Sequence, residues 1–128
     1  MEKRCLIISG GDFCPPPEEL RSADYLIACD RGWQYAQKLG LRPDLVIGDF
    51  DSSAAPENGL PIVRVPTRKD DTDTMLAARR ALELGYREIA VCCAFGGRLD
   101  HTLANIQTLL FIANAGGIGF LHGDGTVV

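Results

Sequence analysis

Short apolar runs alternate with longer segments of helical spacing along the whole chain. Six of the runs are rich in aliphatic residues and predict strands: RCLIIS, DYLIAC, DLVIG, PIVRV, EIAVCCA and GIGFLH. Three of the intervening segments predict helices, each ending at a glycine suited to a left-handed cap: GWQYAQKLG, DTDTMLAARRALELG and DHTLANIQTLLFIANAG. This alternation is typical of β-α-β units and predicts an α/β domain of three layers around a parallel sheet of about six strands.

The composition fits one globular domain. The chain has 128 residues, of which 46% are hydrophobic and 23% charged. Its net charge of -4 argues against a basic face for binding nucleic acid. Its apolar segments fall short of the ~20 unbroken residues that a membrane-spanning helix needs. We therefore expect a cytoplasmic protein with neither nucleic acid nor membrane as a partner.

The five cysteines lie mostly inside apolar runs. This placement predicts buried thiols in a reducing compartment, not a disulfide framework. Cys92 and Cys93 are adjacent on a predicted strand, so their side chains are expected to face opposite sides of the sheet. That geometry would not suit joint binding of a metal.

Polar and glycine residues follow nearly every predicted strand at its carboxyl end. These groups are Ser9–Asp12, Asp30–Gly32, Gly48–Ser52, Thr67–Asp71 and Gly96–Asp100. Ligands of open parallel sheets bind outside the carboxyl ends of the strands, so these loops are expected to converge on one crevice. Their carboxylates, cations and glycines suit a divalent metal with phosphate better than an apolar ligand.

Asp49 and Asp51 follow the strand of DLVIG and, in an extended chain, would point the same way. A solvated turn would explain them equally well if they stood alone, because Asp is common in turns. Hard oxygen donors on a rigid strand end are what Mg²⁺ requires, since it takes one or two protein carboxylates and completes its shell with water and phosphate. Their position after Gly48 favours a metal site.

The stretch RKDDTDTMLA places acids at a helix N-terminus, where Asp caps the helix and complements its macrodipole. Capping alone would explain Asp70 or Asp71. The crowding of acids beside cations indicates more, because cations neutralise a transferring phosphate while carboxylates hold metal. We favour function for Lys69 and Asp73.

The stretch AFGGRLDHTLAN combines a glycine turn with a cation. Arg98 offers a fork of donors for phosphate, and Asp100 is placed to cap the following helix. His101 lies one helical turn from Asn105; alone it fits a partly buried structural histidine, and it joins the candidate binding residues as part of this group. Gly11, in the loop Ser9–Gly11, is a candidate for close approach to phosphate.

Three of these stretches, PDLVIGDFDS, RKDDTDTMLA and GGRLDHTLANIQTLL, resemble the catalytic domain of thiamine pyrophosphokinase in sequence, order and separation. The resemblance covers essentially the whole chain and implies a Rossmann-like fold. It also implies an enzyme that moves a pyrophosphoryl group from ATP to the hydroxyl of thiamine, giving thiamine diphosphate and AMP with Mg²⁺ as cofactor.

The resemblance assigns roles to individual positions. It implies a catalytic acidic cluster of Asp30, Asp49, Asp51 and Asp73, the last three holding Mg²⁺. It also implies a group of residues that position the nucleotide or diphosphate: Ser52, Lys69, Thr72, Arg98 and Asp100.

Two features depart from the family pattern. Its members carry a C-terminal β-sandwich that contributes to the thiamine site, usually across a homodimer. Residues 1–122 are expected to form the catalytic domain and 123–128 the start of that second domain, so this chain alone is expected to be weakly active. Arg31 also stands where many relatives carry a small residue.

Two other functions stay open at the level of the sequence. Residues for ATP and Mg²⁺ do not identify the acceptor, so a related pyrophosphokinase acting on a hydroxymethylpterin is one alternative. A non-catalytic nucleotide-binding domain, in which the acids are structural, is the other.

Overall fold

The computed structural model describes residues 4–11, 13, 16, 24–29, 32–48, 62–64, 73–95, 99–123 and 126–127. For residues 62–64, 73, 99–101 and 126–127 it describes the main chain only. The strands are β1 (Arg4–Ile8), β2 (Tyr25–Cys29), β3 (Leu45–Gly48), β4 (Ile62–Arg64), β5 (Glu88–Cys92), β6 (Ile118–Gly123) and β7 (Thr126–Val127). The helices are α1 (Gly32–Lys38), α2 (Asp73–Glu83) and α3 (Leu99–Asn114).

The strands form one sheet in the order β4-β3-β2-β1-β5-β6-β7. The pairs from β4 through to β6 are all parallel, and β7 pairs with β6 in the antiparallel direction. The α/β class, the six strands and the three helices expected from the sequence are therefore confirmed. The assignment of residues 123–128 to a second domain stays a prediction.

The central strand β1 separates two apolar layers because its side chains alternate between the faces of the sheet. Cys5 and Ile7, fully buried, pack in the cluster that contains the α2 alanines and Ile112 of α3. Leu6 and Ile8 pack in the cluster on the other face, which contains Ala36 of α1. The sheet is thus covered on both faces, which explains why its strands read as continuous apolar runs.

Each helix ends in a glycine with positive φ: Gly40 (72°), Gly85 (95°) and Gly116 (86°). At the end of α1, Leu41 N–H donates to the Ala36 carbonyl and Gly40 N–H donates to the Gln37 carbonyl. This pair of bonds is the Schellman motif, and the same pattern recurs after α2 and α3. The glycine caps predicted from the sequence are confirmed.

Cys5, Cys29, Cys92 and Cys93 are buried, as the sequence predicts. The expectation that Cys92 and Cys93 face opposite sides is wrong, because both belong to the apolar cluster on the α1 face. The physical reason is that β5 ends at Cys92, and Cys93 adopts a left-handed conformation with φ of 55°. In the parts of the chain that are described, no helix combines the length and apolar character that a membrane crossing requires.

Candidate active site at the carboxyl edge of the sheet

The order of the strands puts the expected ligand crevice between the ends of β1 and β5. The chain moves from β1 through β2 and β3 to β4 on one side, and β5 then returns to the other side of β1. Ile8, the last residue of β1, is in register with Ala28 of β2 and with Cys92 of β5. Open α/β sheets bind ligands at such a reversal, outside the carboxyl ends of the strands.

At Gly11, the loop after β1 is in direct contact with the turn after β5. Gly11 N–H donates to the Cys93 carbonyl at 2.9 Å. A Cβ atom on residue 11 would lie 2.4 Å from the carbonyl oxygen of Cys93 and 2.6 Å from that of Phe95. The structure thus requires glycine at position 11 for contact between the two loops, and the ligand-binding role suggested by the sequence stays a prediction.

Tyr35 of α1 holds the same loop from the other side. Its hydroxyl donates to the Gly11 carbonyl at 2.8 Å, so both main-chain polar groups of Gly11 are bonded. The Tyr35 ring also packs against the Phe13 ring, with centroids 5.1 Å apart, and the Lys38 ammonium lies 5.3 Å from the Phe13 centroid. The loop after β1 is therefore fixed to α1 as well as to the turn after β5.

The turn after β5 is also held from α3. Asn105 is buried, and its Nδ2 donates to the Ala94 carbonyl at 2.8 Å. Beside it, Cys93 sits in the left-handed region that favours glycine. Residues 96–98, which include Arg98, follow this turn in the sequence. Sequence reasoning noticed Asn105 only as a neighbour of His101.

Two buried hydroxyls join the end of β1 to the start of α2. Ser9 Oγ and Thr74 Oγ1 lie 3.0 Å apart, with exposed fractions of 6% and 4%. Ser9 is itself fixed by its N–H, which donates to the Cys92 carbonyl at 3.0 Å. Thr74 follows Asp73, the first residue of α2. The start of α2 therefore lies against the crevice, at the end of the central strand.

Most of the acids predicted as site residues lie outside the described residues. Two of them directly follow a described strand in the sequence. β2 ends at Cys29, one residue before Asp30, and β3 ends at Gly48, one residue before Asp49. These strands are neighbours and parallel, so both end at the carboxyl edge of the sheet. The main chain of Asp73 is described at that edge, at the start of α2.

The remaining candidate residues are either described by their main chain alone or lie outside the described residues. Asp100 and His101 lie in the first turn of α3, where the main chain alone is described. The others fall outside the described residues: Asp51, Ser52, Lys69, Thr72 and Arg98. Among the side chains that the structure does describe, no group of three or more His, Cys, Asp or Glu could hold a metal. The predicted metal ligands are not among those side chains.

Among the described residues, Cys5 and Tyr25 at the opposite, amino edge of the sheet have raised pKa values. Burial raises the pKa of the Cys5 thiol to about 12, and the charge of Asp44 adds to the effect. The pKa of Tyr25, which pairs with Cys5 across β1 and β2, is raised by the same two causes in the same order.

The chain is similar to known proteins of one family. A family model described as thiamin pyrophosphokinase, catalytic domain, matches residues 17–117. Over 89 residues the chain is 37% identical to the thiamine pyrophosphokinase of Bacillus subtilis (strain 168), an alignment covering 65% of this chain. The fold is similar to the crystal structure of thiamine pyrophosphokinase from Bacillus subtilis, with a TM-score of 0.80, 29% identity and 94% of this chain covered. The fold is also similar to the crystal structure of a thiamin pyrophosphokinase family protein from Enterococcus faecalis, with a TM-score of 0.78, 31% identity and 94% of this chain covered.

The chain is shorter than these relatives. It spans 42% of the length of the Bacillus subtilis protein in the sequence alignment. It spans 60% and 61% of the two crystallised chains. The shared part is the α/β domain with the crevice.

Proposed function

This chain belongs to the thiamin pyrophosphokinase family, and from this premise we propose that it serves Mg²⁺-dependent transfer of a pyrophosphoryl group from ATP to the hydroxyl of thiamine. The products are thiamine diphosphate and AMP. One observation of the structure carries the proposal. β2 and β3 end at the carboxyl edge immediately before Asp30 and Asp49, and α2 starts at that edge with Asp73.

The donors proposed for the metal fit Mg²⁺ in their chemistry. Asp49, Asp51 and Asp73 would supply hard carboxylate oxygens, which Mg²⁺ prefers. When bound, Mg²⁺ neutralises charge on the phosphate oxygens and helps to align them. Asp30 completes the acidic cluster on the adjacent strand end.

The other candidate residues bind and orient the substrates in this proposal. Lys69 and Arg98 supply positive charge to the phosphates, and Arg98 can form paired hydrogen bonds to them. Pyrophosphoryl transfer requires mainly in-line positioning and neutralisation of charge, so no covalent nucleophile on the protein is needed. The thiamine hydroxyl attacks the β-phosphorus, and one of the aspartates accepts its proton. The set also includes Gly11, Ser52, Thr72, Asp100 and His101.

The crystallised relatives have further chain beyond the shared α/β domain. We expect the complete site for thiamine to need a C-terminal β domain and a second subunit of a homodimer, with the protein working in the cytoplasm. Binding of the nucleotide with Mg²⁺ is therefore the activity to test first in this chain, and transfer to thiamine follows from it.

Calorimetric titration with a non-hydrolysable ATP analogue, with and without Mg²⁺, tests the nucleotide centre. We expect binding that requires Mg²⁺ and is abolished in Asp51→Asn, because the substitution removes a negatively charged metal ligand. Glu83→Gln is the matched control, since it neutralises an exposed carboxylate near the end of α2, away from the crevice. If neither the removal of Mg²⁺ nor Asp51→Asn changes the affinity for the analogue, the result would instead support a structural role for the acids.

Analysis of the products identifies the acceptor. The chain is incubated with ATP, Mg²⁺ and either thiamine or a hydroxymethylpterin, and AMP and the pyrophosphorylated acceptor are measured. We expect AMP to appear in equal amount with thiamine diphosphate at a low rate. Transfer to the pterin alone would overturn the choice of acceptor and leave the transfer reaction itself in place.

A further inference from the structure

We infer that Ser9 and Thr74 form a positioning pair that fixes Asp73 for metal binding. The inference rests on the proposed function, in which Asp73 holds Mg²⁺. Neither hydroxyl stands out in the sequence, since the two residues are 65 positions apart. The structure brings them together at the junction of β1, β5 and α2.

The two hydroxyls of the pair lie in a buried environment. Both hydroxyls are almost fully buried and lie 3.0 Å apart, a good hydrogen-bond distance. If one partner is removed, the other is left in a buried place without that bond, which costs more than the bond itself contributes. The pair is thus a specific link, since an apolar contact could not replace one member alone.

Ser9 is itself held in place by the sheet. Its N–H donates to the Cys92 carbonyl, so Ser9 is held to the end of β5. The strand that precedes it, β1, is bonded to neighbours on both sides. Thr74 is therefore bonded to the residue that follows the central strand.

Asp73 lies at the end of a helix. It is the first residue of α2, and helix ends fray unless something holds them. Thr74 is the next residue along the chain, so the bond that holds Thr74 also fixes the main chain of Asp73. Residues that hydrogen-bond directly to metal ligands change metal affinity by about 10-fold to 100-fold when they are replaced, and for a pair that acts through the main chain we expect the lower end of that range.

Thr74→Val tests the inference because valine has nearly the shape of threonine and lacks the hydroxyl. The measurement is the Mg²⁺ concentration that gives half-maximal binding of the non-hydrolysable ATP analogue, with thermal unfolding recorded for each variant. We expect that concentration to rise about 10-fold in Thr74→Val. Thr74→Ser keeps the hydroxyl and should restore it toward the wild-type value. Ser9→Ala should give a similar rise, and the double variant should add little to either.

Thr108→Val is the matched control. Thr108 is also fully buried, and its Oγ1 bonds to the Ala104 carbonyl of its own helix, so the substitution again removes a buried hydroxyl. We expect it to lower stability and leave the Mg²⁺ dependence unchanged. Equal shifts of the Mg²⁺ dependence in the two valine variants would overturn the inference, since any lost hydroxyl would then have the same effect.

The outcomes also separate the inference from the function it rests on. If the wild-type chain binds the analogue only with Mg²⁺ and Thr74→Val binds it at the same Mg²⁺ concentration, the positioning role is wrong and the proposed function stands. If the wild-type chain binds no nucleotide with Mg²⁺, the nucleotide centre and the positioning role are both overturned.

Discussion

The two edges of the sheet are held together by different kinds of contact. At the amino edge, the three helices end in the same glycine cap, made by main-chain bonds between residues close in sequence. At the carboxyl edge, contacts join residues far apart in sequence, and side chains take part: Ser9 with Thr74, Tyr35 with Gly11, and Asn105 with Ala94. The amino edge repeats one local cap at three helices and adds long-range pairs such as Arg4 with Glu88, whereas the side-chain contacts of the carboxyl edge hold the loops beside the expected ligand site.

This difference separates what stabilises the fold from what shapes the site. A glycine cap stabilises the end of one helix, so its loss should lower stability without changing the loops at the carboxyl edge. The contacts of the carboxyl edge fix loops relative to one another, so their loss should alter stability and the crevice together. Substitutions matched in chemistry and placed at opposite edges test this distinction.

The largest effect is expected for Gly11→Ala. The new Cβ would lie far inside contact distance of two main-chain oxygens, those of Cys93 and Phe95, and main chain cannot move aside as a flexible side chain can. We expect a loss of about 3 kcal/mol in the free energy of unfolding, measured by urea denaturation. Nucleotide binding should weaken as well, because the loops at the crevice separate. A loss equal to that of Gly85→Ala would contradict the close contact described for this loop.

Asn105→Ala should have the next largest effect. It leaves the Ala94 carbonyl without its buried donor, and an unsatisfied buried acceptor costs about 2 kcal/mol. Gln107→Ala is the control, since it removes an amide from an exposed position of the same helix and should change stability by no more than about 0.5 kcal/mol. Equal urea midpoints for the two variants would show that the hydrogen bond contributes nothing.

Alkaline pH should weaken the protein through Cys5 at the amino edge. The thiol has a pKa of about 12 when folded and an ordinary value of 9.0, so the unfolded chain ionises first as the pH rises. Its contribution is complete below pH 9 and is lost between pH 9 and 12, at up to about 1.4 kcal/mol per pH unit. Cys5→Val should flatten the fall in stability between pH 9 and 10, measured by urea denaturation at each pH. An unchanged slope would exclude Cys5 as its source.

The smallest effect is expected for Gly40→Ala and Gly85→Ala at the helix caps. No atom lies within 4 Å of a Cβ added at either position, so the cost comes only from the left-handed backbone. We expect each substitution to lower the free energy of unfolding by about 1 kcal/mol and to leave nucleotide binding unchanged. A change in nucleotide affinity would show that the two edges are coupled.

The sequence predicts the amino edge and the elements well for a physical reason. Apolar runs, helical spacing and terminal glycines are local patterns, and burial on both faces of the sheet makes them plain in residues such as Cys5–Ile8 and Leu45–Ile47. The sequence also points to the carboxyl ends as the place for chemistry, because polar residues follow the strands. The convergence of the acids there stays a prediction.

The contacts that shape the crevice could not be read from the sequence. No local pattern pairs Ser9 with Thr74, and nothing beside Asn105 indicates that its amide reaches Ala94. The left-handed conformation of Cys93 is equally hidden, since that region favours glycine and the residue lies in an apolar run. Each of these features depends on how separate elements pack, which only the folded chain determines.

The central place of β1 has a consequence for the order in which the protein folds. Arg4 and its partner Asp24 on the β2 side are 20 residues apart, whereas Arg4 and Glu88 on the β5 side are 84 apart. Closing the longer loop costs about 1.2 kcal/mol more in chain entropy. β1 to β4 are neighbours in the order of the chain, so they can pair during synthesis before β5 has emerged. The end of β1 therefore meets β5 only after the first four strands have had the chance to pair.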